Sequence, residues 1–127
     1  SVRDFAFLFD EQYYEGLEGG ILEAFGKLFP DNTHVYVYPS RRRGGNEADL
    51  VTLDNVQVPE KLRYLLAYLK ANDKLLAVKP HDESHLHIDV SEVLSGLRRG
   101  RGEWEGDVPD TVAQRIVDGR LLGFDTE

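Results

Sequence analysis

The sequence predicts an α/β or α+β fold: a small sheet of about four strands packed by helices, closed by a two-helix C-terminal tail. Three observations point there. Short apolar runs that suit strands alternate with longer stretches of helical period. The stretch from Ile88 to Phe124 carries two sets of helix start and stop signals around a charged, glycine-punctuated loop. The chain has 127 residues, of which 41% are hydrophobic and 30% charged, which suits one domain, 1–127, with a real core.

The first candidate strand is Phe5–Phe9, FAFLF, bounded by Asp10 and Glu11. After it, Tyr14, Leu17, Ile21, Phe25 and Leu28 recur at helical spacing, interrupted by Gly16, Gly19 and Gly20. Each glycine costs roughly 1 kcal/mol in a helix interior relative to alanine. Either the helix begins near Gly19 and offers free N–H groups to an anion, or the glycines admit a neighbouring backbone to a kinked packing helix. The second outcome is the commoner one.

Pro30-Asp31-Asn32 reads as a turn, and His34–Tyr38, HVYVY, as a strand. Arg41, Arg42 and Arg43 follow, with Gly44 and Gly45. Three guanidiniums after a strand end can clamp phosphate or carboxylate, because their forks match those oxygens. The alternative is a solvated loop. Leu50–Val58 suggests a further strand or a hairpin arm bending at Asp54-Asn55.

Pro59 opens the strongest helical pattern, with Leu62, Leu65, Leu66 and Leu69 on one stripe and Tyr64 and Tyr68 on another side. Leu75–Val78 is a candidate strand. His81, His85 and His87 could offer imidazoles to a divalent metal, but the segment has no firm period to aim them together, and no metal site is assigned.

In the tail, Asp89 and Glu92 stand as a capping box ahead of Val90, Val93, Leu94 and Leu97. Gly100 and Gly102 interrupt. Pro109 takes the first position of the second helix, Val112, Ile116 and Leu121 form its buried stripe, and Gly119 stops it. Tyr13, Tyr14, Tyr64, Tyr68 and Trp104 are candidate interface anchors, although Trp104, set between two glutamates, would also serve to cap the core.

The totals exclude some function classes. A net charge of −8 opposes generic binding to nucleic acid or to an anionic membrane. No apolar run approaches a bilayer span, and no signal-peptide pattern opens the chain. The absence of cysteine removes disulfides and thiolate chemistry and fits a cytoplasmic setting. No serine elbow and no carboxylate pair of demanding spacing marks a hydrolase. The chain begins at Ser1 without methionine, so it reads as processed or cut from something longer.

The tail resembles the C-terminal end of nicotinate and nicotinamide mononucleotide adenylyltransferases. Those enzymes carry an Ile-Ser-Ser-Thr-x-Ile-Arg segment opening a helix, then a glycine, then a Val-Pro-x-x-Val helix. Here Ile88, Ser91 and Val93 fall on that pattern, followed by Gly100, Val108, Pro109 and Val112. Asp89 and Val90 replace the two serines, and Leu94 stands where the phosphate-contacting arginine would be. The His-x-Gly-His motif of such enzymes is missing. A wider resemblance covers nearly the whole chain. FDEQYYEGLEGGILEAFGKLFPDNTHVYVYP, VPEKLRYLLAYL and the Trp104–Pro109 stretch are similar to the C-terminal part of long, uncharacterised bacterial proteins. Those carry nicotinate-nucleotide adenylyltransferase or TonB-dependent receptor labels; no outer-membrane barrel pattern is present here.

The resemblance implies a nucleotidyltransferase-related domain, the C-terminal part of a longer protein, that binds nucleotide phosphates without a complete active site. The phosphate contacts would come from Arg41, Arg42, Arg43, Ser91, Arg98, Arg99 and Arg101. ATP and magnesium would be the cofactors, and the catalytic histidines would lie in an upstream domain. Arg98, Arg99 and Arg101 could equally pair with Glu103 and Glu105 and need no ligand. The competing reading is a non-catalytic module for protein interaction or homo-oligomerisation.

Overall fold

The computed structural model describes residues 1–79, 81–100 and 102–124. Among the described residues the fold is mostly helical, 55% in α- or 3₁₀-helix, with two strands in place of the expected four or so. In order come α1 (Val2–Ala6), α2 (Gly20–Leu28), β1 (Val35–Val37), α3 (Arg63–Ala71), β2 (Leu75–Ala77), α4 (Val90–Arg98) and α5 (Asp110–Gly119), joined by short 3₁₀ turns. The chain divides into two compact units, Ser1–Asp82 and Glu83–Glu127. Each has its own apolar cluster.

In the first unit, Phe5–Phe9 is not a strand. Phe5 lies in α1 and Phe7–Phe9 form a 3₁₀ turn. The reason is the spacing of Val2, Phe5 and Phe9, three and four apart, which puts all three on one buried side while Phe7 faces water. The rings of Phe5 and Phe9 then meet edge to face at 5.3 Å, and Phe9 meets Phe25 of α2 at 5.2 Å. α2 begins just after Gly19, and Ile21, Ala24 and Phe25 form its buried side.

Two of the expected strands are observed, and they are parallel, in the register Val35 to Leu75 and Val37 to Ala77. α3 lies between them in sequence, so β1–α3–β2 is a strand–helix–strand unit. Leu62 and Leu69 are buried as the apolar stripe predicts, whereas Tyr64 and Tyr68 are exposed. The Leu50–Val58 strand reduces to one antiparallel bridge between Ser40 and Val51. Asn55 explains why. Its Oδ1 accepts Thr52 N–H at 2.7 Å and its Nδ2 donates to the Leu50 carbonyl at 2.9 Å, taking backbone groups that a ladder would use.

In the second unit the two expected helices form. Asp89 caps α4, its Oδ1 accepting Ser91 N–H at 2.8 Å and Glu92 N–H at 3.3 Å. Pro109 is the residue before α5, one position earlier than expected. Ile116 is buried as expected, but its buried neighbour on α5 is Ala113, while Val112 and Leu121 are exposed. The helix ends at Gly119, but the left-handed residue beyond it is Arg120, with φ 46°. Trp104 is buried at 2% exposure with its ring edge-on to Phe124 at 5.9 Å.

Candidate functional site

The candidate site of the first unit is built by the loops that leave the carboxyl ends of β1 and β2. Tyr38 follows β1. Its hydroxyl donates to the Asp82 carbonyl at 3.2 Å and accepts Asp82 N–H at 3.1 Å. Its ring stands edge-on to His81 at 6.1 Å. One tyrosine therefore joins the segment after β1 to the segment after β2. Nδ1 of His81 is buried without a hydrogen-bond partner. Ser40 is buried, its backbone paired in both directions with Val51 at 2.9 and 2.8 Å.

Arg41, Arg42 and Arg43 come next, on a loop held by its own hydrogen bonds. Gly45 N–H donates to the Arg42 carbonyl at 2.8 Å across Gly44, which has φ 71°. A Cβ at Gly45 would meet that carbonyl oxygen at 2.8 Å, so the turn requires glycine there. Asn46 and Asp49 cap each other's turn. Arg41 donates to Glu47 Oε1 at 3.1 Å and its side chain is largely covered. Its charge is thus met inside the loop; the side chains of Arg42 and Arg43 lie at the surface.

The remaining expected phosphate ligands belong to the second unit. Ser91 opens α4, where its N–H is already held by Asp89. Arg98 and Arg99 end that helix, seven residues on, about 10 Å along the axis. Ser91 and these arginines therefore occupy opposite ends of one helix. There the cations also complement the negative pole of the helix. Arg101 lies outside the described residues.

The anion site considered at the start of α2 is filled from within. Glu23 Oε2 accepts Gly19 N–H at 3.0 Å, and its other oxygen accepts from Lys27 at 2.5 Å. These bonds hold the Glu23 carboxyl below its ordinary value, the Lys27 bond contributing most. Among the described residues no group of three or more His, Asp or Glu side chains converges as a metal cage. His87 instead faces Asp107, Nε2 to Oδ1 at 3.4 Å.

Surface clefts of the first unit lie elsewhere. One of about 660 Å³ is lined by Arg3, Ala6, Phe7, Phe9, Asp10, Glu11 and Pro59. Another, about 460 Å³, runs along α3 beside Arg63, Leu66 and Lys70. Lys70 is engaged there, reaching Asp54 at 3.0 Å and the Leu53 carbonyl at 3.3 Å.

Sequence reasoning missed Tyr38, His81 and Asp82 as a group. The signal was the strand–helix–strand order, which places the residues after each strand at the same end when the strands are parallel. Among the described residues no helix is long and apolar enough to cross a membrane. In comparison with known proteins, no family model, curated protein or solved structure matches this chain.

Proposed function

We propose that the first unit binds the phosphate end of a nucleotide at the carboxyl ends of its two parallel strands, as a nucleotidyltransferase-related domain that is not catalytically complete by itself. The observation that carries the reading is the position of Arg41–Arg43 on the loop leaving β1 in a parallel β1–α3–β2 unit. In open parallel sheets, ligands sit outside the carboxyl ends of the strands. Arg42 and Arg43 would meet phosphate oxygens there, with Arg41 and Glu47 shaping the loop. The role is to place positive charge, which is what phosphoryl and nucleotidyl transfer chiefly require of a protein. Magnesium would arrive with ATP.

Calorimetric titration with ATP, with a pyridine mononucleotide and with pyrophosphate tests this. Binding is expected, weakened about tenfold or more in Arg42→Ala/Arg43→Ala, since a charge-assisted hydrogen bond contributes about 1.5–3 kcal/mol. No heat with any of the three overturns the reading.

A second reading, a module for association with another polypeptide or with itself, draws on exposed aromatic surface. Phe7, Tyr13, Tyr36, Tyr64 and Tyr68 are each more than half exposed. Such rings contribute interface energy when covered. Trp104, a sequence candidate for the same role, is in the core and drops out. Light scattering over a concentration series tests it; a constant monomer mass excludes self-association.

A further inference from the structure

The cleft of about 660 Å³ beside α1 has the size of a small-molecule site, for which roughly 300–1,000 Å³ is usual. Ala6, Phe9 and Pro59 give it an apolar lining, and Phe9 joins that lining to the core. Phe7 lines the same cleft yet is 61% exposed. The cause is local. The 3₁₀ turn Phe7–Phe9 turns Phe9 inward and Phe7 outward. Asp10 N–H donates to the Phe7 carbonyl at 3.1 Å, so the exposed ring and the Asp10 carboxylate leave one turn together.

Asp10 brings a charge that is not neutralised. Its Oδ1 accepts Gln12 N–H at 3.2 Å and its Oδ2 accepts from the Gln12 side-chain amide. Both donors are neutral, and among the described residues no cation pairs with Asp10. A carboxylate has about four acceptor positions, so two remain. Glu11 is the contrast: it pairs with Lys61, which ties this turn to the segment after Pro59. Arg3 lines the cleft as well and disfavours a second positive group.

We infer that this cleft binds a small organic monocation, an ammonium group carried on an aromatic or aliphatic body. The body covers the apolar lining, and the ammonium gains a charge-assisted bond to Asp10 and the attraction of the Phe7 ring. The net charge of −8 draws cations toward the chain. The cleft shares no residue with Arg41–Arg43, so this site and the phosphate site stand or fall separately.

Titration of the full chain with phenethylamine, followed by amide shifts in two-dimensional NMR spectra, tests the proposal. Saturating shifts are expected at Ala6, Phe7, Asp10 and Glu11. Phenethyl alcohol and hydrocinnamate keep the body and change the charge; methylammonium keeps the charge and drops the body. Each is expected to bind about tenfold more weakly. Asp10→Asn keeps an oxygen for Gln12 N–H but loses the charge, and weakens the amine about tenfold. Phe7→Leu keeps apolar bulk but loses the ring, and weakens it about threefold. Should Asp10→Asn fail to fold, the neutral and anionic analogues carry the same test on the unaltered chain. No shift with phenethylamine, or shifts scattered over the acidic surface without saturation, overturns the site. Equal binding of phenethyl alcohol, or of the amine to Asp10→Asn, overturns the cation. Equal binding of Nα-acetyl-lysine amide assigns the cleft to a polypeptide side chain and overturns the small molecule as occupant.

Discussion

At the scale of single residues, Glu23 shows why a helix start rich in glycine need not be a ligand site. Gly19 and Gly20 do open α2, as one of the two sequence alternatives has it, but the amide at the turn is met by a carboxylate four residues on. The sequence contained that partner; what it did not contain was whether the side chain folds back, which depends on Lys27 holding the other oxygen. A pH dependence follows. Glu23 and Asp54 both have carboxyls held below their ordinary values of 4.5 and 3.8, the first chiefly by Lys27 and the second chiefly by Lys70. A carboxyl with a depressed folded pKa contributes stability that is present above its unfolded pKa and lost as the pH falls through its folded one. The melting temperature is therefore expected to fall from about pH 4.5 downward. Glu23→Gln lowers it at neutral pH and adds nothing in acid, so the two curves converge as the pH drops. Parallel curves would show that the Glu23 charge is not coupled to folding.

At the scale of elements, helices were easier to read than strands. α3, α4 and α5 carry apolar spacing over two turns or more, and proline or aspartate marks each start. Strands of three residues leave too few positions for a period, so FAFLF and Leu50–Val58 both suggest strands that do not form, for different reasons. The first hides a helical spacing that begins at Val2, outside the apolar run. The second has strand-forming residues, but Asn55 diverts the backbone into a turn. Caps are legible because their chemistry is local. Asp89→Ala is expected to destabilise the second unit by about 1 kcal/mol, while Asp89→Asn keeps most of the cap; thermal melts of the three proteins compare them. The end of α5 is the reverse case. Arg120 adopts φ 46° where glycine is the usual residue, although Gly119 stands one position too early to take that role. Arg120→Gly removes the left-handed strain and is expected to raise stability by about 1 kcal/mol. An unchanged or lowered melting temperature in that variant would show that the arginine side chain compensates for its backbone.

At the scale of the whole molecule, the sequence read as one domain carries two apolar clusters, and its chromophores divide between them. All six tyrosines precede Asp82, and the single tryptophan follows Glu83. The division was hidden because no Pro- or Ser-rich linker marks it; the boundary falls among Asp82, Glu83 and Ser84, residues that read as an ordinary polar turn. The candidate site was legible in part for the same reason. The arginines after β1 stand out in composition, whereas Tyr38 and the Asp82 backbone meet only because β1 and β2 run parallel, which no local pattern records. The tryptophan offers a direct test of the second cluster. A Cβ at Gly96 would lie 3.4 Å from Trp104 Cβ, so alanine just fits and a branched side chain does not. Gly96→Val is expected to destabilise the second unit by about 1–3 kcal/mol through overpacking. Its unfolding, followed by tryptophan fluorescence, moves to lower temperature, and Gly96→Ala moves it far less. The tyrosine signal at the near-ultraviolet edge reports the Phe9 and Phe25 core, which Gly96 does not touch, and is expected to keep its midpoint. If both signals shift together by the same amount, the two clusters unfold as one cooperative unit, and the division seen in their packing has no thermodynamic counterpart.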